Sequence, residues 1–169
     1  MTASLIVVSG PPGAGKTTLA HALARTIGCP AICRDEIKEG MAHATPGFVA
    51  GPGDELSVRT LPVFFGVLQQ LLAAGVTTVA EAAFQDHVWR PRLEPLRRLA
   101  HLRIVHCVVG AEVALARRLH RGERPAHGGP AVSPDAFQRV SVDAPWLEVD
   151  TTDGYVPGLD VIAAFARAR

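Results

Sequence analysis

Aromatic residues make up only 5% of this chain, so the stacking platforms that hold single-stranded nucleic acid are scarce. An excess of either charge is missing too. Seventeen Lys and Arg face 16 Asp and Glu, and nothing global demands a polyanionic partner. Cysteine is sparse. Cys29, Cys33 and Cys107 form neither an even set nor a CxxC, and read as small buried hydrophobes in reducing surroundings. The seven histidines show no metal-ligand spacing and read as surface or helix-flank residues. Long hydrophobic runs are absent: the apolar N-terminus is about six residues long, too short for a signal peptide or a membrane span. The expected place is the cytoplasm, with no membrane partner. No internal repeat or low-complexity tail interrupts the 169 residues, and one domain over 1–169 is expected.

What is present is concentrated in Leu5 to Thr18, LIVVSGPPGAGKTT. Leu5-Ile6-Val7-Val8 is a continuous apolar run rich in β-branched residues, suited to a strand buried on both faces. Gly10 to Thr17 fits G-x-x-x-x-G-K-[ST], the P-loop pattern. Gly10, Gly13 and Gly15 free the backbone, with Pro12 and Ala14 between them, to turn successive N–H groups toward one point. A helix beginning near Gly15 aims its positive end at that point and carries Thr18 in its first turn. Lys16 can reach the β- and γ-phosphates, and the Thr17 hydroxyl can take a place on Mg²⁺. An amphipathic stretch (Leu19, Leu23, Ile27) follows, which supplies the strand–loop–helix context the motif needs. The chain is expected to bind ATP with Mg²⁺.

Gly28 and Pro30 stop the first helix. A short strand Ala31–Cys33 leads into Arg34-Asp35-Glu36, where a helix of one or two turns is expected with Asp35 as its N-cap. His43 to Asp54, HATPGFVAGPGD, reads as a loop, either a lid or a plain connector. A long helix from Glu55 to Ala74 is expected to kink or restart at Pro62. Val76–Ala80 is a third strand, delivering Glu81 at its end. A helix over His87–Leu99, a strand over Leu102–Val109 and a helix over Ala111–Arg121 follow. Gly122 to Pro134 reads as a loop, with a lid over about 122–133, and Ser133 is expected to cap a helix to Val140. Trp146–Val149 is a fifth strand ending at Asp150, and Leu159–Ala168 a closing helix. Strands alternating with helices predict an α/β fold in three layers, about five parallel strands with helices on both faces. Ligands in such sheets bind outside the carboxyl ends of the strands, where the P-loop, Arg34-Asp35, Glu81 and Asp150 would stand.

Phosphoryl transfer needs a group to orient the attacking hydroxyl and accept its proton. Asp35 could stand beside the γ-phosphate and do so, or simply cap its helix. Seven arginines between Arg97 and Arg124 face only Glu112 and Glu123, either a solvated face or an anion-binding surface.

The order of GPPGAGKT, CRDEIKEGM, VAEAAF and then arginines before a Gly-rich segment resembles small P-loop kinases. The resemblance is to the 5′-kinase domain of phage polynucleotide kinase and to chloramphenicol phosphotransferase. It implies Asp35 as general base and Glu81 as an acidic residue placing substrate or metal, although the family more often has Asp there. It also implies that Arg117 and Arg121, on one helix face at i, i+4, close over the ATP phosphates. Thr152 and Asp153 would border the adenine. Arg34 beside the base either contacts substrate or pairs with a carboxylate. The leading expectation is a kinase moving the γ-phosphoryl of ATP to a hydroxyl of a small molecule. A 5′-hydroxyl polynucleotide kinase, with nucleic acid as the weaker candidate partner, and a nucleotide-dependent switch without an acceptor are the alternatives. Against the switch, no apolar strand ends in Asp-Glu and no coiled coil is present.

Overall fold

A computed structural model describes residues 3–120 and 137–168. Its core is one sheet of β1 (Ala3–Ser9), β2 (Ala31–Cys33), β3 (Thr78–Glu81), β4 (Ala100–Val108) and β5 (Trp146–Asp150). All pairings are parallel, in the order β2-β3-β1-β4-β5. The apolar run at Leu5–Val8 therefore lies in the middle strand, and all four residues are buried.

Alternation along β1 assigns the two faces. Leu5 and Val7 join Phe64, Leu68 and Leu72 of α3 (Glu55–Ala73) and Trp89 and Leu93 of α4 (Asp86–Leu96). Ile6 and Val8 join Leu19 and Leu23 of α1 (Lys16–Ile27) and Ile162 and Ala163 of α6 (Leu159–Arg167). This is the expected three-layer α/β fold. The helix α2 (Arg34–His43) packs on α3, and α5 (Ala111–His120) follows β4.

Several local expectations are corrected. Pro62 does not restart α3, which runs unbroken through it. Pro62 is exposed, so the Val58 carbonyl that lost its N–H partner points to the wet side, where water can satisfy it. The helix after β2 has ten residues rather than one or two turns. Residues 137–140 are not helical; Ser133, the expected cap, falls outside the described residues. His106 is not a surface residue: it lies on β4 with 8% exposure, and burial pushes its imidazole pKa down. Arg103 does not belong to a solvated or anion-binding face either. Its guanidinium donates to the Ala168 carbonyl at 2.6 and 3.0 Å, closing the end of α6. The helix α3 is, among the described residues, the one long and apolar enough to cross a membrane, yet Leu56, Phe64, Leu68 and Leu72 on it are buried in the protein.

Candidate active site

The carboxyl ends of β1, β2, β3 and β5 bring the predicted residues to one edge of the sheet. The loop after β1 is pressed against two neighbours. A Cβ on Gly10 (φ +139°) would stand 2.4 Å from the Cys107 carbonyl oxygen, and one on Gly13 (φ +86°) 2.6 Å from that of Ala114. Only glycine fits either position. Gly15 (φ +67°) instead opens toward the site, where the nearest atom to its would-be Cβ is Arg117 Nη1 at 3.6 Å. The loop is closed by Ala14 N–H donating to the Pro11 carbonyl at 3.2 Å. Lys16, in the first turn of α1, folds back across it, and its Nζ donates to the same carbonyl at 2.9 Å.

Thr17 Oγ1 donates to Glu81 Oε2 at 3.2 Å, which leaves the hydroxyl oxygen's lone pairs available to a cation. Glu81 is 3% exposed. Burial raises its pKa, the Lys16 ammonium opposes that, and the neighbouring carboxylates of Asp35 and Glu36 add to the rise. Lys16, Glu81 and Asp35 thus share one electrostatic site.

Asp35 is not the cap of its helix. Cys33, in extended conformation, occupies the cap position without a side-chain bond, and Asp35 sits in the first turn. There its charge still faces the helix's positive end, while its Oδ1 accepts from Arg34 Nη1 at 3.0 Å. Arg34 pairs with the neighbouring carboxylate, one of the two expectations for it. Its Nη2 also reaches the Ser57 carbonyl at 3.3 Å, and its buried Nε has no hydrogen-bond partner among the described residues.

Beyond the P-loop lies a cavity of about 460 Å³ lined by Gly15, Thr18, Arg117, His120, Thr151, Gly154 and Tyr155. Arg117 Nη2 donates to the carbonyls of Thr151 at 2.7 Å and Thr152 at 3.2 Å. Its Nη1 is buried and, among the described residues, has no hydrogen-bond partner. A guanidinium arm held by two carbonyls and left with an unmatched donor over Gly15 suits an anion there. Thr152 Oγ1 accepts from Gly110 N–H at 3.0 Å, and the preceding Thr151 lines the cavity. Thr151, His120 and Tyr155 escaped the sequence reading, because isolated residues carry no spacing signal; only the position after the fifth strand hinted at Thr151. Arg121 and the expected lid over 122–133 lie outside the described residues.

Comparisons with known proteins bear on the family and the fold. The family model for an AAA domain matches residues 5–140. No curated protein matches the chain. Among solved structures, a kinase candidate from Chloroflexus aurantiacus is 24% identical with a TM-score of 0.83, over 99% of this chain and 98% of that one. A sugar kinase from Janibacter is 21% identical (TM-score 0.69), over 96% and 94%. The APS kinase of Mycobacterium tuberculosis, solved with AMPPNP and APS, is 16% identical (TM-score 0.66), also over 96% and 94%. At these identities the likeness shows a shared fold.

Proposed function

The chain belongs to the AAA domain family whose model matches residues 5–140, and from that premise we propose that it is a kinase transferring the γ-phosphoryl of ATP to a hydroxyl of a small molecule. The observation that carries this reading is the convergence of a P-loop lysine, a Thr17–Glu81 pair, Asp35 and an unmatched arm of Arg117 on one end of the sheet. The residues fit a bound nucleotide. Glycine-only contacts at Gly10 and Gly13 would shape the phosphate cradle, and the cavity beyond Gly15 and Thr18 would take the base and ribose. They also fit Mg²⁺, which Thr17 would hold directly and Glu81 from behind it; bound there, the ion neutralises phosphate charge.

In this reading Lys16 leaves the Pro11 carbonyl for the phosphate oxygens, and Arg117 turns its unmatched Nη1 toward the same charge. Arg121 would add a second guanidinium from the next turn. Asp35 orients the acceptor hydroxyl and takes its proton, and Arg34 holds the Asp35 carboxylate in place for that task. The wall of the acceptor pocket is the stretch from His43 to Asp54 with the start of α3. Mostly apolar letters there favour an uncharged or partly apolar alcohol. The chain is taken to work as one domain in the cytoplasm, without a membrane partner. A nucleic-acid acceptor is the weaker reading, since Arg103 is turned into the protein and Arg97 is tied to Glu94 and Asp143, which breaks up the basic run.

Incubation with γ-labelled ATP and Mg²⁺ decides among the classes. Three arms are run: a pool of small alcohols, a 5′-hydroxyl oligonucleotide, and no acceptor. Label transferred to a small alcohol supports the proposal. Label on the oligonucleotide, or only inorganic phosphate in every arm, replaces it with a polynucleotide kinase or a switch.

A further inference from the structure

On the flank of this site, three side chains from different elements meet at one point. His21 projects from α1, Cys33 ends β2 and Glu36 lies in the first turn of α2. His21 Nε2 is 2.6 Å from Glu36 Oε1 and 3.8 Å from Cys33 Sγ. The three donor atoms all lie within 4.8 Å of one another. Ligand atoms around a tetrahedral zinc-type ion stand roughly 3 to 4 Å apart, as metal–ligand distances of about 2.0 to 2.3 Å require. The histidine–thiol distance already suits such an ion, and the histidine–carboxylate contact needs to open by less than about 1 Å. The thiol is buried, while His21 and Glu36 have 38% and 48% of their side chains exposed. An ion therefore has a solvent route in, and a water can complete its shell.

We propose that His21, Cys33 and Glu36 form a binding site for one divalent transition-metal ion of borderline softness, Zn²⁺ or Co²⁺, distinct from the hard Mg²⁺ position at Thr17. The donor set discriminates between the two ions. Thiolate and imidazole favour zinc-type metals, whereas Mg²⁺ takes oxygen ligands. Binding replaces the Cys33 S–H bond with a metal–sulfur bond and releases that proton to solvent. The hydrogen shared between His21 Nε2 and Glu36 Oε1 leaves that contact for Nδ1 or solvent, so that the Nε2 lone pair and the carboxylate face the ion. No oxidation or reduction is involved. Cys33 pairs in register with Glu81, so the ion also adds positive charge beside the carboxylates of the candidate catalytic centre and ties α1, β2 and α2 together.

The test is a Co²⁺ titration of the tag-free, reduced full chain, followed by absorption. A thiolate-to-cobalt charge-transfer band with intense tetrahedral d–d bands is expected, saturating at one ion per chain and persisting in excess Mg²⁺. Replacing an outer partner of a metal ligand typically costs 10- to 100-fold in affinity, so His21→Ala, a half-exposed change that leaves the core intact, should weaken Co²⁺ binding by at least about 10-fold. Cys33→Ser should abolish the charge-transfer band, while Cys29→Ser and Cys107→Ser should retain it. Absence of the band overturns the proposal, as does a band that survives His21→Ala unchanged or is displaced by Mg²⁺.

Discussion

At the scale of single residues, Asp35 carries the heaviest chemical assignment. Since Cys33 holds the cap position, Asp35→Asn leaves the helix start as it is and weakens the partly exposed pair with Arg34. Such a pair is worth at most about 1 kcal/mol. The substitution removes a proton acceptor, however, and general-base assistance contributes about 10² to 10⁴ in rate. The expected outcome is a near-wild-type melting temperature and a kcat lower by about that factor. Wild-type turnover would return Asp35 to a structural role and move the search for the base to Glu81. The residue scale is also where the sequence was most and least legible. Gly10, Gly13, Lys16 and Thr17 were readable because their spacing encodes a backbone shape. Asp35 was placed one structural step wrongly, because no letter shows that the Cys33 backbone is the extended one. His120 and Tyr155 were invisible, since a cavity wall drawn from a helix end and a distant loop leaves no local pattern.

At the scale of elements, two attachments control how the site is assembled. Arg117 fastens α5 to the strand-end loop through the Thr151 and Thr152 carbonyls. Arg117→Ala should lower kcat by about 10² if the free arm serves phosphate charge in the transition state, measured by steady-state kinetics with ATP varied. A loss of stability with unchanged kcat would confine Arg117 to bracing. The second attachment is Asp54, which caps α3 by accepting from Ser57 N–H at 2.7 Å and pairs with Lys38 at 2.7 Å. Both side chains are almost fully buried, 8% and 4% exposed. Desolvation works to raise the Asp54 pKa, but the bonds from Lys38, Ser57 and Gly51 outweigh it and hold the carboxyl at about 2, below its ordinary 3.8. A carboxyl depressed on folding stabilises fully above its unfolded pKa, and that contribution disappears as pH falls through the folded value. The unfolding free energy from urea titrations should therefore fall between about pH 4 and pH 2, by about 2 kcal/mol from this group. Asp54→Asn, which can still cap, should flatten that stretch of the curve; an unchanged slope would contradict the assignment. The cap at Asp54 could be suspected from the Gly/Pro-rich loop before a helix. Its buried partner could not, because Lys38 is sixteen residues away on a helix that the sequence suggested was only a turn or two long.

At the scale of the whole molecule, the strands were legible because a parallel sheet covered on both faces demands nearly continuous apolar runs, and Leu5–Val8 and Ile104–Cys107 supply them. Strand order was not legible: nothing in the letters says that β3 comes between β2 and β1, since that choice belongs to crossover packing. This order places Glu81 beside both the P-loop strand and Cys33, and so composes the site. A fold built around such a cradle should be stabilised by its ligand. At a free ATP concentration 100 times its dissociation constant, binding to the native state alone adds about 2.7 kcal/mol, about 5 to 10 °C in melting temperature for a chain of this size. Lys16→Ala should forfeit most of that shift. The central claim, that this sheet edge passes a phosphoryl group to a small alcohol, is tested most directly by mass spectrometry of a metabolite extract incubated with ATP and Mg²⁺. The account predicts that a hydroxyl-bearing compound gains one phosphate with the wild-type protein and gains none with folded Lys16→Ala. No phosphorylated product while ATP is still consumed, or an equal gain with Lys16→Ala, would contradict it.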